Sequence, residues 1–170
     1  MHPIYAGIGV LATEATVSSG AYPRAIQSLD GGAEVYQQAA PGLVSFIEGG
    51  DVASQELADA VRGFAEPLKA KRPDVVILGC THYPLIAPML QRFFGRDVTL
   101  VNPAAEIARE VEDTLERQGI ARTEDRVGSY RFYTTGDVEA FRMVGARFLQ
   151  MPLTRVRSLP LDTLNGLVAP

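Results

Sequence analysis

Val75-Val76-Ile77-Leu78-Gly79-Cys80-Thr81-His82-Tyr83-Pro84 runs from four apolar residues, three of them β-branched, into a glycine and then a thiol, a hydroxyl and an imidazole. An amphipathic run follows from Leu85 to Phe94. This is the pattern of a buried parallel strand, a tight turn and a helix. In open α/β sheets the loop at a strand's carboxyl end opens into the crevice where ligands bind. The loop holds the only cysteine in the chain and the only histidine beyond position 2. A lone cysteine at a strand end is most often a small buried hydrophobe, and a lone histidine is often a satisfied core or surface residue. Their joint placement on a glycine-preceded turn, at the start of a helix, favours function. Thiolate is the reactive species, and a helix N-terminus beginning near Pro84 together with a nearby imidazole would stabilise it. Zinc is disfavoured, because no second cysteine or internal histidine exists to complete a set of three or four ligands.

Working outward, the strands alternate with helices. Residues 6–13 read as a first strand, 14–20 as a hydroxyl-rich turn, 21–29 as a helix ended by Asp30-Gly31-Gly32, and 33–39 as a second strand. Residues 41–50 form a short apolar element ending near Glu48. Leu57, Val61, Phe64 and Leu68 recur at helical steps within 51–70, and Pro73 closes that helix ahead of the central strand. Further strands are expected at 98–103, 130–135 and 156–159, and helices at 104–118 and 137–149. The fold class is therefore α/β, a parallel sheet flanked by helices. No Rossmann phosphate loop, Walker loop or nucleophile elbow is present. Both lysines, Lys69 and Lys71, fall in a polar stretch, which argues against a pyridoxal-phosphate Schiff base.

The 170 residues suffice for one good core or two small lobes, and the net charge of −4 with no basic cluster beyond 69–72 points away from nucleic acid. No signal peptide or apolar run of membrane-spanning length is visible, and a single cysteine fits a reducing cytoplasm.

Leu78-Gly79-Cys80-Thr81-His82-Tyr83-Pro84-Leu85 resembles the second signature of the glutamate racemases, within the cofactor-independent aspartate/glutamate racemase superfamily. Gly9-Val10-Leu11-Ala12-Thr13-Glu14-Ala15-Thr16 and the residues to Tyr22 are similar to that family's threonine loop. Val44 to Gly50, Asn102-Pro103-Ala104-Ala105-Glu106 and Tyr133-Thr134-Thr135-Gly136-Asp137 resemble further landmarks, in family order over about residues 7–150. The resemblance implies two-cysteine chemistry, in which a thiolate removes the α-proton of glutamate while a thiol on the opposite face delivers another. Cys80 matches the second cysteine, His82 the residue that assists it, and Thr81 a binder of the substrate's backbone groups. Thr13, Thr16 and Glu48 match pocket residues. The implied enzyme uses no metal or cofactor, supplies D-glutamate for peptidoglycan in the cytoplasm, takes glutamate as its small-molecule partner, and is compatible with a homodimer.

The family's opening Asp-Ser-Gly segment, Pro-Tyr-Gly loop and first-cysteine motif have no counterpart here. The expectation is a chain without the N-terminal third of a racemase and inactive alone. Residues 7–102 would be the complete second lobe, 103–155 the incomplete C-terminal part of the first, and 156–170 a tail. The alternatives are a non-catalytic remnant that binds an amino-acid-like ligand or a partner protein, and another racemase of the superfamily, acting on aspartate or hydantoins.

Overall fold

The computed structural model describes residues 7–50, 52–124 and 127–162. The chain divides into two compact units, Met1–Ala121 and Arg122–Pro170.

The first unit is built on a four-stranded parallel sheet. Strands β1 (Ile8–Ala12), β2 (Val35–Ala39), β3 (Val75–Gly79) and β4 (Thr99–Val101) lie in the order β2-β1-β3-β4. The chain steps from β1 to one neighbour, then crosses back past β1 to place β3 on its other side. The topological switch point thus falls between β1 and β3, whose carboxyl ends flank the crevice such sheets use for ligands. Ala12 is in register with Gly79, so the residues after each strand, Thr13 and Cys80, begin side by side.

One face of the sheet carries the main core. Leu11, Val76 and Leu78 meet Leu43 and Ile47 of α3 (Leu43–Glu48), Leu57, Val61, Ala65 and Leu68 of α4 (Gln55–Lys69), and Leu90 and Phe94 of α5 (Ala87–Phe94). Burial of each such aliphatic side chain contributes about 1.5–3 kcal/mol before conformational entropy is set against it. After β1 come the short α1 (Glu14–Ser19) and α2 (Ala21–Leu29), whose Tyr22 ring approaches Gly79 at the carboxyl end of β3. Gly79 allows a close approach there. A Cβ at this position would lie 3.0 Å from the Ala12 Cβ and 3.2 Å from the Tyr22 ring of α2.

Local sequence explains two departures from the pattern read above. Residues 14–19 are helix rather than turn, because the Thr13 side chain caps them by accepting from the Thr16 N–H. The helix expected near Pro84 starts as a single 3₁₀ turn, Tyr83–Ile86, and becomes α-helical only at Ala87. Its bonds run three residues back, from Tyr83 N to Cys80 O and from Leu85 N to His82 O, and Pro88 has no N–H to continue an α-helical ladder onto Pro84.

The last helix of the first unit, α6 (Ala104–Arg117), has no buried residue, and Ile107, Val111 and Leu115 form an exposed apolar stripe along it. The second unit contains the parallel pair β5 (Phe132–Thr134) and β6 (Val156–Ser158) with α7 (Val138–Leu149) between them in sequence. Asp137 caps α7 by accepting from Ala140 N at 2.7 Å. Leu153 is buried, and Gly145 gives it room: a Cβ there would come within 2.6 Å of a Leu153 methyl.

Candidate active site

Cys80 leaves β3 at the switch point with its thiol half-buried. The backbone is held by Tyr83 N–H on the Cys80 carbonyl, 3.2 Å, and by the Tyr83 ring, which is fully buried beneath the loop. Burial, and secondarily the neighbouring Cys80, push the Tyr83 phenol far above its ordinary ionisation range. Its hydroxyl is buried with no hydrogen-bond partner.

His82 stands over the thiol. Its Nδ1 lies 4.0 Å from Cys80 Sγ and 3.4 Å from Thr81 Oγ1. Its Nε2 is 2.9 Å from Glu48 Oε1. Glu48 is the last residue of α3, whose Leu43 and Ile47 are locked in the core, so the helix delivers the carboxylate to the imidazole. The carboxylate accepts only, so in the neutral imidazole this contact places the proton on Nε2 and leaves Nδ1 as the acceptor toward the thiol and the Thr81 hydroxyl. The His82 side chain is 23% exposed and that of Glu48 53%. A thiol, an imidazole of defined tautomer and an orienting carboxylate can together move a proton at Sγ.

Beside the thiol is a cleft of about 200 Å³, lined by Cys80, Thr81, Pro84, Tyr22, Asn102 and Ile107 among others. The lining is predominantly apolar and includes no basic side chain. Thr13 and Thr16 sit one strand over, their hydroxyls 3.0 Å apart. Thr13 also caps α1, which ties its orientation to the helix. Cys80, Thr81, His82 and Glu48 are thus joined in one constellation, and Thr13 and Thr16 form a separate hydroxyl pair at the end of the neighbouring strand. Tyr22, Asn102 and Ile107 were not among the expected site residues. Tyr22 stands in the first turn of α2, and Asn102 directly follows β4, whose position at the carboxyl end of the parallel sheet was the available signal. Among the described residues no group of three His, Cys, Asp or Glu side chains could hold a metal ion, and no helix is long and apolar enough to cross a membrane.

The family model for Asp/Glu/hydantoin racemases matches residues 4–111. A glutamate racemase from Desulforudis audaxviator is 40% identical over 148 residues, 84% of this chain and 54% of the relative. The structure of a glutamate racemase from Francisella tularensis, in complex with D-glutamate, superposes with a TM-score of 0.84 at 31% identity, covering 92% of this chain and 59% of that one. A glutamate racemase isoform from Bacillus anthracis gives 0.83 at 33% identity, covering 91% and 57%. The chain therefore spans a little over half the length of the proteins it matches.

Proposed function

The chain belongs to the Asp/Glu/hydantoin racemase family, and from that premise we propose that it carries one of the two proton-transferring faces of a glutamate racemase. The observation that carries this reading is the Cys80–His82–Glu48 constellation at the switch point, next to a cleft of small-molecule size.

In the proposed reaction His82 Nδ1 takes the proton from Cys80 Sγ, and Glu48 balances the imidazolium that results. The thiolate then removes the α-proton of glutamate, and the reverse transfer returns one. Thr81, at the mouth of the cleft, and the Thr13 and Thr16 hydroxyls supply polar contacts for the substrate's amino and carboxylate groups. The apolar cleft keeps water from the carbanion-like centre, where proton transfer needs a dry, preorganised site. No cofactor is invoked. D-glutamate formed by the completed enzyme in the cytoplasm would serve peptidoglycan synthesis.

Inversion needs a donor on the face opposite the acceptor. Cys80 is the only cysteine in the 170 residues, and His82 and Glu48 approach from its own side. The second thiol therefore comes from polypeptide outside these residues, and this chain alone exchanges the α-proton without racemising. In this reading residues 103–155 are part of a lobe completed by that polypeptide, and the exposed Ile107, Val111 and Leu115 stripe supports it.

Incubation of L-glutamate in deuterium oxide tests the proposal. Slow α-deuteration with retained configuration, abolished by Cys80→Ala, is expected. No exchange at all would indicate a non-catalytic binder, and efficient inversion would require a second base within the chain. Exchange of aspartate or a hydantoin in preference to glutamate would reassign the substrate.

A further inference from the structure

We propose that Tyr22 is a positioning residue for Cys80, its ring holding the end of β3 from the face opposite the main core and so setting where the thiol stands in the cleft. The inference rests on the proton-transfer reading of Cys80 and adds to it a side chain that takes no part in the transfer. Along β3 the residues packed into the main core are Val76 and Leu78, so Gly79 turns its missing side chain to the other face. There the Tyr22 ring fills the space: a Cβ on Gly79 would lie 3.2 Å from Tyr22 Cε2. From the core side Cys80 is held by Tyr83, which is fully buried and whose N–H bonds the Cys80 carbonyl at 3.2 Å. The backbone that leads into the thiol is thus held between two aromatic residues, one fixed in the core and one carried by α2.

Tyr22 is itself placed by a braced corner rather than by a core. Helix α2 has no buried residue, and Tyr22 is half-buried. Helix α1 ends and α2 begins on Gly20, whose φ of 61° is a left-handed conformation that glycine adopts freely. Across this corner Arg24 Nη1 donates to the Ser19 carbonyl at 2.8 Å. The Ser19 hydroxyl donates to the Thr16 carbonyl at 2.7 Å and accepts from the Ala21 N–H at 3.2 Å. Thr13 caps the start of α1.

The Thr13–Thr16 hydroxyl pair and Tyr22 therefore belong to one braced segment, and the ring ties that segment to the strand that carries Cys80. Without the ring, the thiol and the two hydroxyls lose their fixed relation to each other. A misplacement of about 1 Å is enough to slow a positioned reaction severely. The contact is made by a ring carbon, so phenylalanine preserves it and an aliphatic side chain does not. Tyr22 and Cys80 also line the same cleft, which makes a substrate contact the rival explanation that the test has to separate.

The test is α-deuteration of L-glutamate in deuterium oxide by the full chain and its Tyr22→Phe and Tyr22→Leu variants, with iodoacetamide labelling of Cys80 alongside. Tyr22→Leu should lower the exchange rate at saturating glutamate at least about tenfold and move the half-saturating concentration less than about threefold. Tyr22→Phe should stay within about twofold of the unmodified chain in both. A loss confined to the half-saturating concentration would make Tyr22 a substrate contact, and a phenylalanine variant as slow as the leucine one would assign the effect to the hydroxyl. Either result, or unchanged exchange in Tyr22→Leu, overturns the proposal. If the unmodified chain exchanges no α-proton, the proton-transfer reading fails and the labelling decides this one separately. Tyr22→Leu should then shift the Cys80 labelling rate several-fold and Tyr22→Phe should not, whereas equal rates in all three proteins overturn it. Nuclear Overhauser contacts between the Tyr22 ring and the Gly79 α-protons are expected in the unmodified chain, and their absence overturns the proposal even where the leucine variant misfolds.

Discussion

The sheet of the first unit has four strands, three helices on its main face and a core of fully buried aliphatic side chains. The second unit has two strands of three residues each, one helix between them and, among its described residues, Leu153 as its one fully buried hydrophobic side chain. Strand pairs this short are marginal without further layers. The difference teaches that the thiol loop rests on a sheet with a packed core beneath it, while β5 and β6 have little buried apolar side chain to hold them.

The largest expected effect separates the units directly. Leu90→Ala should lower the stability of the first unit by about 2–5 kcal/mol, the range for a large-to-small change in a packed core. Leu153→Ala should leave that transition unmoved, which chemical denaturation followed by native-state hydrogen exchange can resolve. Equal effects from both would merge the two units into one cooperative body. Limited trypsin digestion offers a coarser check, with first cleavage expected at Arg122 or Arg131, two residues outside helix and strand, and a resistant product ending nearby.

Gly79→Ala comes next. The added Cβ meets a strand neighbour's Cβ, the Tyr22 ring and, at 3.3 Å, the Leu11 carbonyl. A loss of about 1–3 kcal/mol is expected from overpacking between two paired strands, read as a shift in denaturation midpoint. A neutral outcome would show that β1 and β3 can separate without cost.

A smaller effect is expected from Tyr83→Phe. It removes a buried hydroxyl without a partner, so stability at neutral pH should stay level or rise. The sign of its pH dependence follows from the raised ionisation of this phenol. The folded state holds the proton more tightly than the unfolded state, so Tyr83 contributes nothing to pH dependence below about pH 10 and costs stability as pH rises beyond that. The wild type should therefore lose stability in that alkaline window and the phenylalanine variant should lose less. Parallel alkaline limbs would mean that the phenol reaches solvent.

Much of this architecture was legible in the residues. Val75 to Leu78 can hardly be anything but a buried strand, and Leu57, Val61 and Leu68 mark the helix that covers it. Helix α1 was not legible, because Thr16, Ser18 and Ser19 read as turn formers until the Thr13 cap is seen to hold the first turn. The late start of α5 depends on Pro84 and Pro88 removing donors that a helical pattern takes for granted. The pairing of Glu48 with His82 spans 34 residues, and no local period announces it. Family likeness placed both in one pocket, and only the packing of Ile47 shows why the carboxylate arrives at Nε2.

The reactivity of Cys80 tests the central claim most directly, and iodoacetamide labelling of the folded chain at neutral pH measures it. The account predicts labelling without denaturant, faster than a small-molecule thiol, slowed about tenfold by His82→Ala and to a lesser degree by Glu48→Gln, as expected when an imidazole assists a thiol and a carboxylate orients it. Labelling that requires unfolding, or that proceeds at the same rate in all three proteins, would make Cys80 a packing residue and leave the cleft without its chemistry.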